Sequence, residues 1–193
     1  LEENILGKLT QGSRFETFRR MREFFGLNPS LPVYATMIYL WNYTETEQPL
    51  LAFLCAVARD QALQKTSNLI FSCPFGKIFP KTDLRIFLQQ LYQERYSPSC
   101  LAKMTSNVIK SWTSAGFLKR EGNLSKRKPA FCGPAATTFA LFLGYLEGRR
   151  GQELYQSQWT HLLDVPLETL YELTFQASKI GWLDYKNAGG IVE

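Results

Sequence analysis

The side chains best able to do chemistry in this chain are the cations of residues 95–128, which alternate with small polar residues. This stretch holds eight Lys and Arg residues against one acid, Glu121, a difference of +7, whereas all 193 residues together carry a formal charge of +5. Long cations bind phosphate oxygens, and Ser and Asn carry donors and acceptors that match base edges. The pattern predicts a surface for a polyanion, with a merely solvated surface as the alternative.

We expect nine residues of this stretch to contact double-stranded DNA. They are Lys103, Ser106, Asn107, Lys110, Lys119, Arg120, Lys126, Arg127 and Lys128. Ser106 and Asn107 suit base edges, and the cations suit phosphates. Because Asn107 borders an apolar helix face, a buried Asn107 bonded to backbone is an alternative. A second alternative places the phosphate contacts on an N-terminal helix, through Arg14, Arg19 and Arg20.

Residue types for metal and acid–base chemistry are sparse. The only histidine is His161, and the four cysteines (Cys55, Cys73, Cys100 and Cys132) are too far apart in sequence for zinc-ligand spacing. The glycine-rich phosphate loops and the nucleophile elbow of hydrolases are absent from the sequence. We therefore expect a protein that is not an enzyme and needs no metal or cofactor.

The elements that must position the polyanion site are mostly helical. Apolar residues recur at helical spacing in several segments, and we also predict a short strand over residues 69–71. The predicted helices cover residues 11–25, 32–41, 48–63, 83–93, 98–115, 135–146 and 167–179. The fold class is therefore mainly α, a helical bundle that carries short β-hairpins.

Residues 83–131 have the pattern of a winged helix-turn-helix. A first helix at 83–93 precedes a recognition helix at 98–115, and residues 117–131 form a hairpin wing. Ser97 and Pro98 begin the recognition helix and Gly116 ends it. Winged helices also act as protein–protein modules, so the alternative function is an adaptor with no DNA contact.

The end of the chain repeats this pattern weakly. Gly181-Trp182-Leu183 follows the last helix as Gly116-Phe117-Leu118 follows the recognition helix, and residues 187–190 supply a hairpin turn. Residues 152–193 hold two basic and six acidic residues, a difference of −4, which would repel phosphate. We expect a second winged-helix-like unit that either contacts protein or packs against the rest of the chain.

This organisation divides the chain into three regions. We expect an N-terminal helical region (1–66), a winged-helix-like unit (67–132) and a C-terminal helical region (133–193). The two longest apolar runs, 31–41 and 135–146, are shorter than the about 20 residues that span a bilayer, so we expect no membrane span. Widely spaced cysteines without a signal peptide favour a cytoplasmic protein.

Three segments together resemble the BrxA family, small proteins of bacterial BREX (bacteriophage exclusion) defence systems. They are ENILGK before an Arg-rich helix, PLLAFLCAVARDQAL, and SNVIKSWTSAGFLK leading into a basic hairpin. The likeness covers most of the chain in the order and type of its elements. It implies a mostly helical, cytoplasmic DNA-binding protein with winged-helix character, which works beside other phage-defence proteins and has no known catalytic centre.

Overall fold

A computed structural model describes residues 4–93, 95–188 and 191–192, and the chain is mainly helical, as predicted. Two antiparallel hairpins pair β1 (Leu118–Glu121) with β2 (Leu124–Arg127) and β3 (Asn187–Ala188) with β4 (Ile191–Val192). The helices are α1 (Gln11–Phe25), α2 (Pro32–Trp41), α3 (Gln48–Val57), α4 (Gln61–Phe71), α5 (Lys81–Tyr92), α6 (Pro98–Ser114), α7 (Pro134–Leu146), α8 (Gln152–Tyr155), α9 (Gln158–His161) and α10 (Leu167–Ile180). Within the described ranges, no helix is both long and apolar enough to cross a bilayer.

Helix α1 has the predicted bounds but packs loosely. Thr10 caps its start by accepting a hydrogen bond from the Ser13 amide (3.2 Å), and Gly26 ends it in the left-handed conformation (φ 64°). Every residue of α1 stays at least partly exposed. The Arg59 guanidinium, just after α3, donates to the Glu23 carbonyl (2.7 Å), so the last turn of α1 is the part tied to α3.

The predicted helix over 48–63 is instead two helices. Asp60 adopts an extended backbone, and its Oδ1 accepts hydrogen bonds from the Ala62 and Leu63 amides (2.8 and 3.2 Å), which starts α4. Helix α4 then continues to Phe71, so the predicted strand at 69–71 is wrong. Thr66 and Ile70, four residues apart, are both buried, as the inward face of a helix requires.

An extended segment, residues 76–79, precedes α5 and pairs with β2. The Gly76 amide donates to the Arg127 carbonyl (2.8 Å), the Arg127 amide to the Lys77 carbonyl (2.8 Å), and the Phe79 amide to the Ser125 carbonyl (2.7 Å). These bonds fix the start of α5 beside hairpin β1–β2.

Helices α6 and α10 end in the same way. Gly116 and Gly181 have positive φ (94° and 86°), and the next amide in each case bonds five residues back, from Phe117 to the Trp112 carbonyl (3.0 Å) and from Trp182 to the Ala177 carbonyl (3.1 Å). The weak sequence repeat therefore has a structural counterpart at both helix ends. Strands β3 and β4 pair as a hairpin, and the predicted turn residues Gly189 and Gly190 lie outside the described residues.

The core joins an aromatic cluster to the almost fully buried helix α7. Trp112 packs against Phe53, Phe71 and Phe117 with ring centroids 4.6, 5.5 and 5.1 Å away, and its indole N–H donates to Thr66 Oγ1 (3.2 Å). Helix α7 packs against α2, α3, α9 and α10. It is therefore the central helix of the chain.

A buried carboxylate starts α7. Gly133, the residue before the helix, has no side chain to cap it, and Glu47 supplies the missing acceptor: its Oε2 accepts from the Ala136 amide at 2.8 Å, and Glu47 is 4% exposed. A β-carbon on Gly133 would lie 2.5–2.9 Å from the Glu47 carboxyl group, so a side chain at this position would displace the capping carboxylate.

Replacement of Glu47 by Ala should lower the free energy of unfolding by about 1–3 kcal/mol, because it leaves the buried Ala136 amide without an acceptor. Denaturant unfolding followed by circular dichroism measures the change. Glu45→Ala is the matched control: Glu45 is exposed, and its removal should change stability by less than about 0.5 kcal/mol. Equal effects of the two substitutions would contradict the capping role.

Candidate nucleic-acid interface

The outer face of α6 and hairpin β1–β2 border a groove of about 540 Å³, which we call the basic groove. Three exposed cations line it: Lys110 from α6, Arg120 from β1 and Lys81 from the first turn of α5. Polar side chains lie between them, namely Ser106, Asn107, Thr113, Asn123 and Ser125. Cations and short hydrogen-bonding side chains therefore share one concave surface.

Helix α6 turns its predicted contact residues outward. Thr105, Val108 and Trp112 are buried, whereas Lys103, Ser106, Asn107 and Lys110 are exposed. The exposed four lie at positions i, i+3, i+4 and i+7, which is one face of a helix. Asn107 is thus free to face solvent, and the alternative of a buried Asn107 is wrong.

Lys81 was missed by the sequence analysis. Its Nζ donates to Ser106 Oγ (3.3 Å), and that hydroxyl in turn donates to the Ala102 carbonyl of its own helix (2.9 Å). Lys81 is 25 residues from Ser106, and no local spacing connects the two. The one local indication in the sequence was that Lys81 follows Pro80, the residue just before α5.

The hairpin divides its basic residues between two faces. Lys119 lies opposite Lys126 and Arg120 opposite Ser125, so the two lysines share one face while Arg120 and Ser125 share the face toward α6. Lys119 Nζ is 3.7 Å from the Glu121 carboxylate, and Lys126 is half-buried. Of the basic hairpin residues predicted, Arg120 is the one that lines the basic groove.

The structure therefore brings together four of the nine predicted residues in the groove: Ser106, Asn107, Lys110 and Arg120. Lys103 extends the exposed face of α6 toward its start, and Lys128 is exposed just after β2. Together with Lys119 and Lys126, these residues lie outside the groove lining.

Arg127 corrects the prediction, because its side chain is 1% exposed and cannot reach a phosphate. Its guanidinium donates to the Phe117 carbonyl (3.1 Å) and forms an ion pair with Asp164. The guanidinium carbon also lies 4.9–5.5 Å from the ring centroids of Phe71, Phe75 and Phe117. Arg127 is a structural residue that joins β2 to the segment between α9 and α10.

Two of the four arginines of helix α1, Arg19 and Arg20, pair with acids of the same helix. Glu16 accepts hydrogen bonds from Arg19 and Arg20 (both 2.9 Å), and Arg19 also bonds Glu23 (2.9 Å). The hydrogen bonds from Arg19, then Arg20, hold the pKa of Glu16 down to about 2. These pairs reduce the positive charge that α1 can offer to phosphates.

Cys55, Cys132 and His161 lie outside the basic groove, and the two thiols are not activated. Burial raises the pKa of Cys55 to about 11 and that of Cys132 to about 12, so both are thiols at neutral pH. His161 is exposed and packs edge-on against Phe71, with the ring centroids 5.5 Å apart. Over the residues that the structure describes, no cluster of three His, Cys, Asp or Glu side chains could hold a metal ion.

Replacement of Arg127 by Ala should lower the free energy of unfolding by about 3 kcal/mol, because it removes one partner of a buried ion pair and empties the space between three rings. Lys119→Ala on the same hairpin should change it by less than about 0.5 kcal/mol. Thermal and denaturant unfolding of both variants provide the measurement. A stable Arg127→Ala protein that binds DNA more weakly would instead indicate a direct contact.

Comparisons of the chain with protein-family models, with curated proteins and with solved structures find no match.

Proposed function

We propose that this protein is a non-enzymatic double-stranded DNA-binding protein whose DNA contact is the basic groove. The observation that supports this most strongly is that Lys110, Arg120 and Lys81, from three different elements, line the same groove as Ser106 and Asn107. Cations near short donors and acceptors are what phosphate and base-edge contacts require.

The order of elements supports a winged-helix interpretation of this region. Helix α4, the extended segment 76–79, helices α5 and α6, and the pair β1–β2 follow one another in the chain. In this proposal α6 is the recognition helix and β1–β2 is the wing. A DNA major groove is about 12 Å wide and admits one α-helix, and a basic hairpin beside it reaches the neighbouring backbone.

The proposed contact divides the work between two kinds of side chain. Lys103 and Lys110 are seven residues apart on α6, about 10 Å along the axis, so they can reach different phosphates. Between them, Ser106 and Asn107 face the base edges. Arg120 and the exposed Lys119 extend from opposite faces of the wing. With mostly long, flexible cations, binding should tolerate many sequences.

Exposed apolar side chains in the same groove favour a second candidate, a protein-interaction adaptor. Ile78 and Leu124 line the groove and are 55% and 51% exposed, and Phe131 after the hairpin is 62% exposed. Exposed apolar side chains of this kind suit a protein partner. Salt dependence separates the two candidates, because DNA binding releases counterions and apolar docking does not.

We further propose, from the resemblance to the BrxA family, that the protein is an accessory component of a BREX defence system and works in the cytoplasm. The basic groove is compatible with that role. A pull-down with the defence proteins encoded beside it, before and after nuclease treatment, separates protein contacts from contacts bridged by DNA.

The double charge reversal Lys110→Glu and Arg120→Glu should weaken binding to every duplex alike. Loss of two phosphate contacts should flatten the slope of log affinity against log salt by about 1.8. Fluorescence anisotropy with a labelled duplex at about 50 and 200 mM salt measures both effects.

The matched control for this experiment is Lys65→Glu with Lys179→Glu, which makes the same charge change on exposed lysines of α4 and α10. It should alter affinity far less. Unchanged binding by the Lys110 and Arg120 variant, with loss of binding when Arg14, Arg19 and Arg20 are replaced, would place the contact on α1. No duplex binding by the unmodified chain at about 50 mM salt would favour the adaptor.

Asn107→Ala should leave the salt slope nearly unchanged, because it removes no charge. If the protein prefers a sequence, this change should erode discrimination at one base position by about 1–3 kcal/mol. Competition binding with a panel of single-base variants is the measurement. The control is Asn68→Ala, a substitution of an exposed residue of α4. A flattened slope in Asn107→Ala would show that the substitution disturbs the phosphate contacts and would reject its assignment to base edges.

A further inference from the structure

A second cavity, of about 370 Å³, lies on a different part of the molecule from the basic groove. It forms where helices α2, α7, α8 and α10 meet residues 182–185. Five of its thirteen lining residues are aromatic, and the rings belong to Phe142, Tyr145, Tyr155, Trp182 and Tyr185. A volume and an apolar lining of this kind are typical of small-molecule sites.

Two of the threonine hydroxyls that line the cavity are already engaged. The hydroxyls of Thr138 and Thr174 donate to the Pro134 and Leu170 carbonyls of their own helices (2.8 and 2.7 Å). Burial raises the pKa of Tyr155 to about 12, so its phenol is uncharged at neutral pH. The walls therefore combine ring faces with a few hydrogen-bonding groups, among them the buried Trp182 indole N–H.

Charge in the cavity is of one sign. Among the described residues that line it, Asp184 carries the only charged side chain, and none is Lys, Arg or His. Asp184 is exposed, which places its carboxylate where the cavity meets solvent. A phosphate or carboxylate ligand would find no cationic side chain among the described lining residues, and the nearby Arg150 guanidinium is held over the Tyr145 ring.

An organic cation matches both features. Aromatic faces are electron-rich and attract cations, and a methylated ammonium group has few or no N–H donors that need acceptors. The molecule already uses one ring in this way: the Arg150 guanidinium carbon lies 3.8 Å from the ring centroid of Tyr145. Four other aromatic rings line the cavity beside the Asp184 carboxylate.

We propose that this cavity binds an organic cation of the methylated-ammonium class, with aromatic rings around the cation and Asp184 as the counter-charge. This site is independent of the proposed DNA contact, because it shares no lining residue with the basic groove.

The test compares two small molecules of nearly the same shape. Choline carries a trimethylammonium group, and 3,3-dimethylbutan-1-ol is its uncharged analogue, with a carbon in place of nitrogen. Titration of the full chain, followed by NMR, should show choline binding about tenfold more tightly than the alcohol. Equal affinities would mean that the cavity takes neutral apolar molecules, and no binding of either would reject the site; both outcomes overturn the proposal.

Substitutions locate the binding. Asp184→Asn keeps the shape of an exposed side chain and should weaken choline binding severalfold while leaving the alcohol unaffected. Glu168→Gln, an exposed acid in the first turn of α10, is the matched control and should change neither. Unfolding curves confirm that each variant is folded. Equal losses from the two substitutions would mean general attraction to the acidic region, which overturns the assignment to the cavity.

Discussion

A guanidinium group buried among three phenylalanine rings holds hairpin β1–β2 in place. Arg127 lies at the end of β2, and its side chain bonds the Phe117 carbonyl before β1 and the Asp164 carboxylate before α10. Burial of a charge is unfavourable unless a partner, hydrogen bonds and polarisable contacts offset it, and Arg127 has all three. Its backbone also bonds residues 76 and 77, so one residue joins the hairpin, the segment before α5 and the C-terminal region.

The role of each hairpin cation depends on its position relative to Arg127 along the two strands. Leu118 and Arg127 face each other at the buried end, while Arg120 and Ser125 share the same face nearer the turn, where it opens into the basic groove. Two arginines on one face thus have opposite roles, one in the core and one at the surface. Lys119, on the other face, lies opposite Lys126, and this like-charged pair gains no stability from its register.

Residues that act locally, such as helix caps, predicted the bounds of helices correctly. Structure that depends on residues distant in the sequence was not predicted. Caps and stop residues gave the bounds of α1 and α6 well, because Gly26, Ser97 and Gly116 act within one helical turn. The break between α3 and α4 at Asp60 was not predicted, because apolar residues continue at helical spacing on both sides of it. The extended segment 76–79 depends on partners about 50 residues away in β2, and the burial of Arg127 depends on Asp164. Neither has a local sequence signature.

Two buried electrostatic contacts hold the chain where it leaves the hairpin and enters the central helix. The ion pair of Arg127 with Asp164 fixes the end of β2, and nine residues later the Glu47 carboxylate fixes the Ala136 amide in the first turn of α7. These contacts fix both ends of the link from the hairpin to α7. A groove whose walls are already ordered loses less conformational entropy when a ligand binds. Contacts outside the basic groove thus help to order its walls, and within the groove Lys81 bonds Ser106 while Arg120 bonds the Gly122 carbonyl.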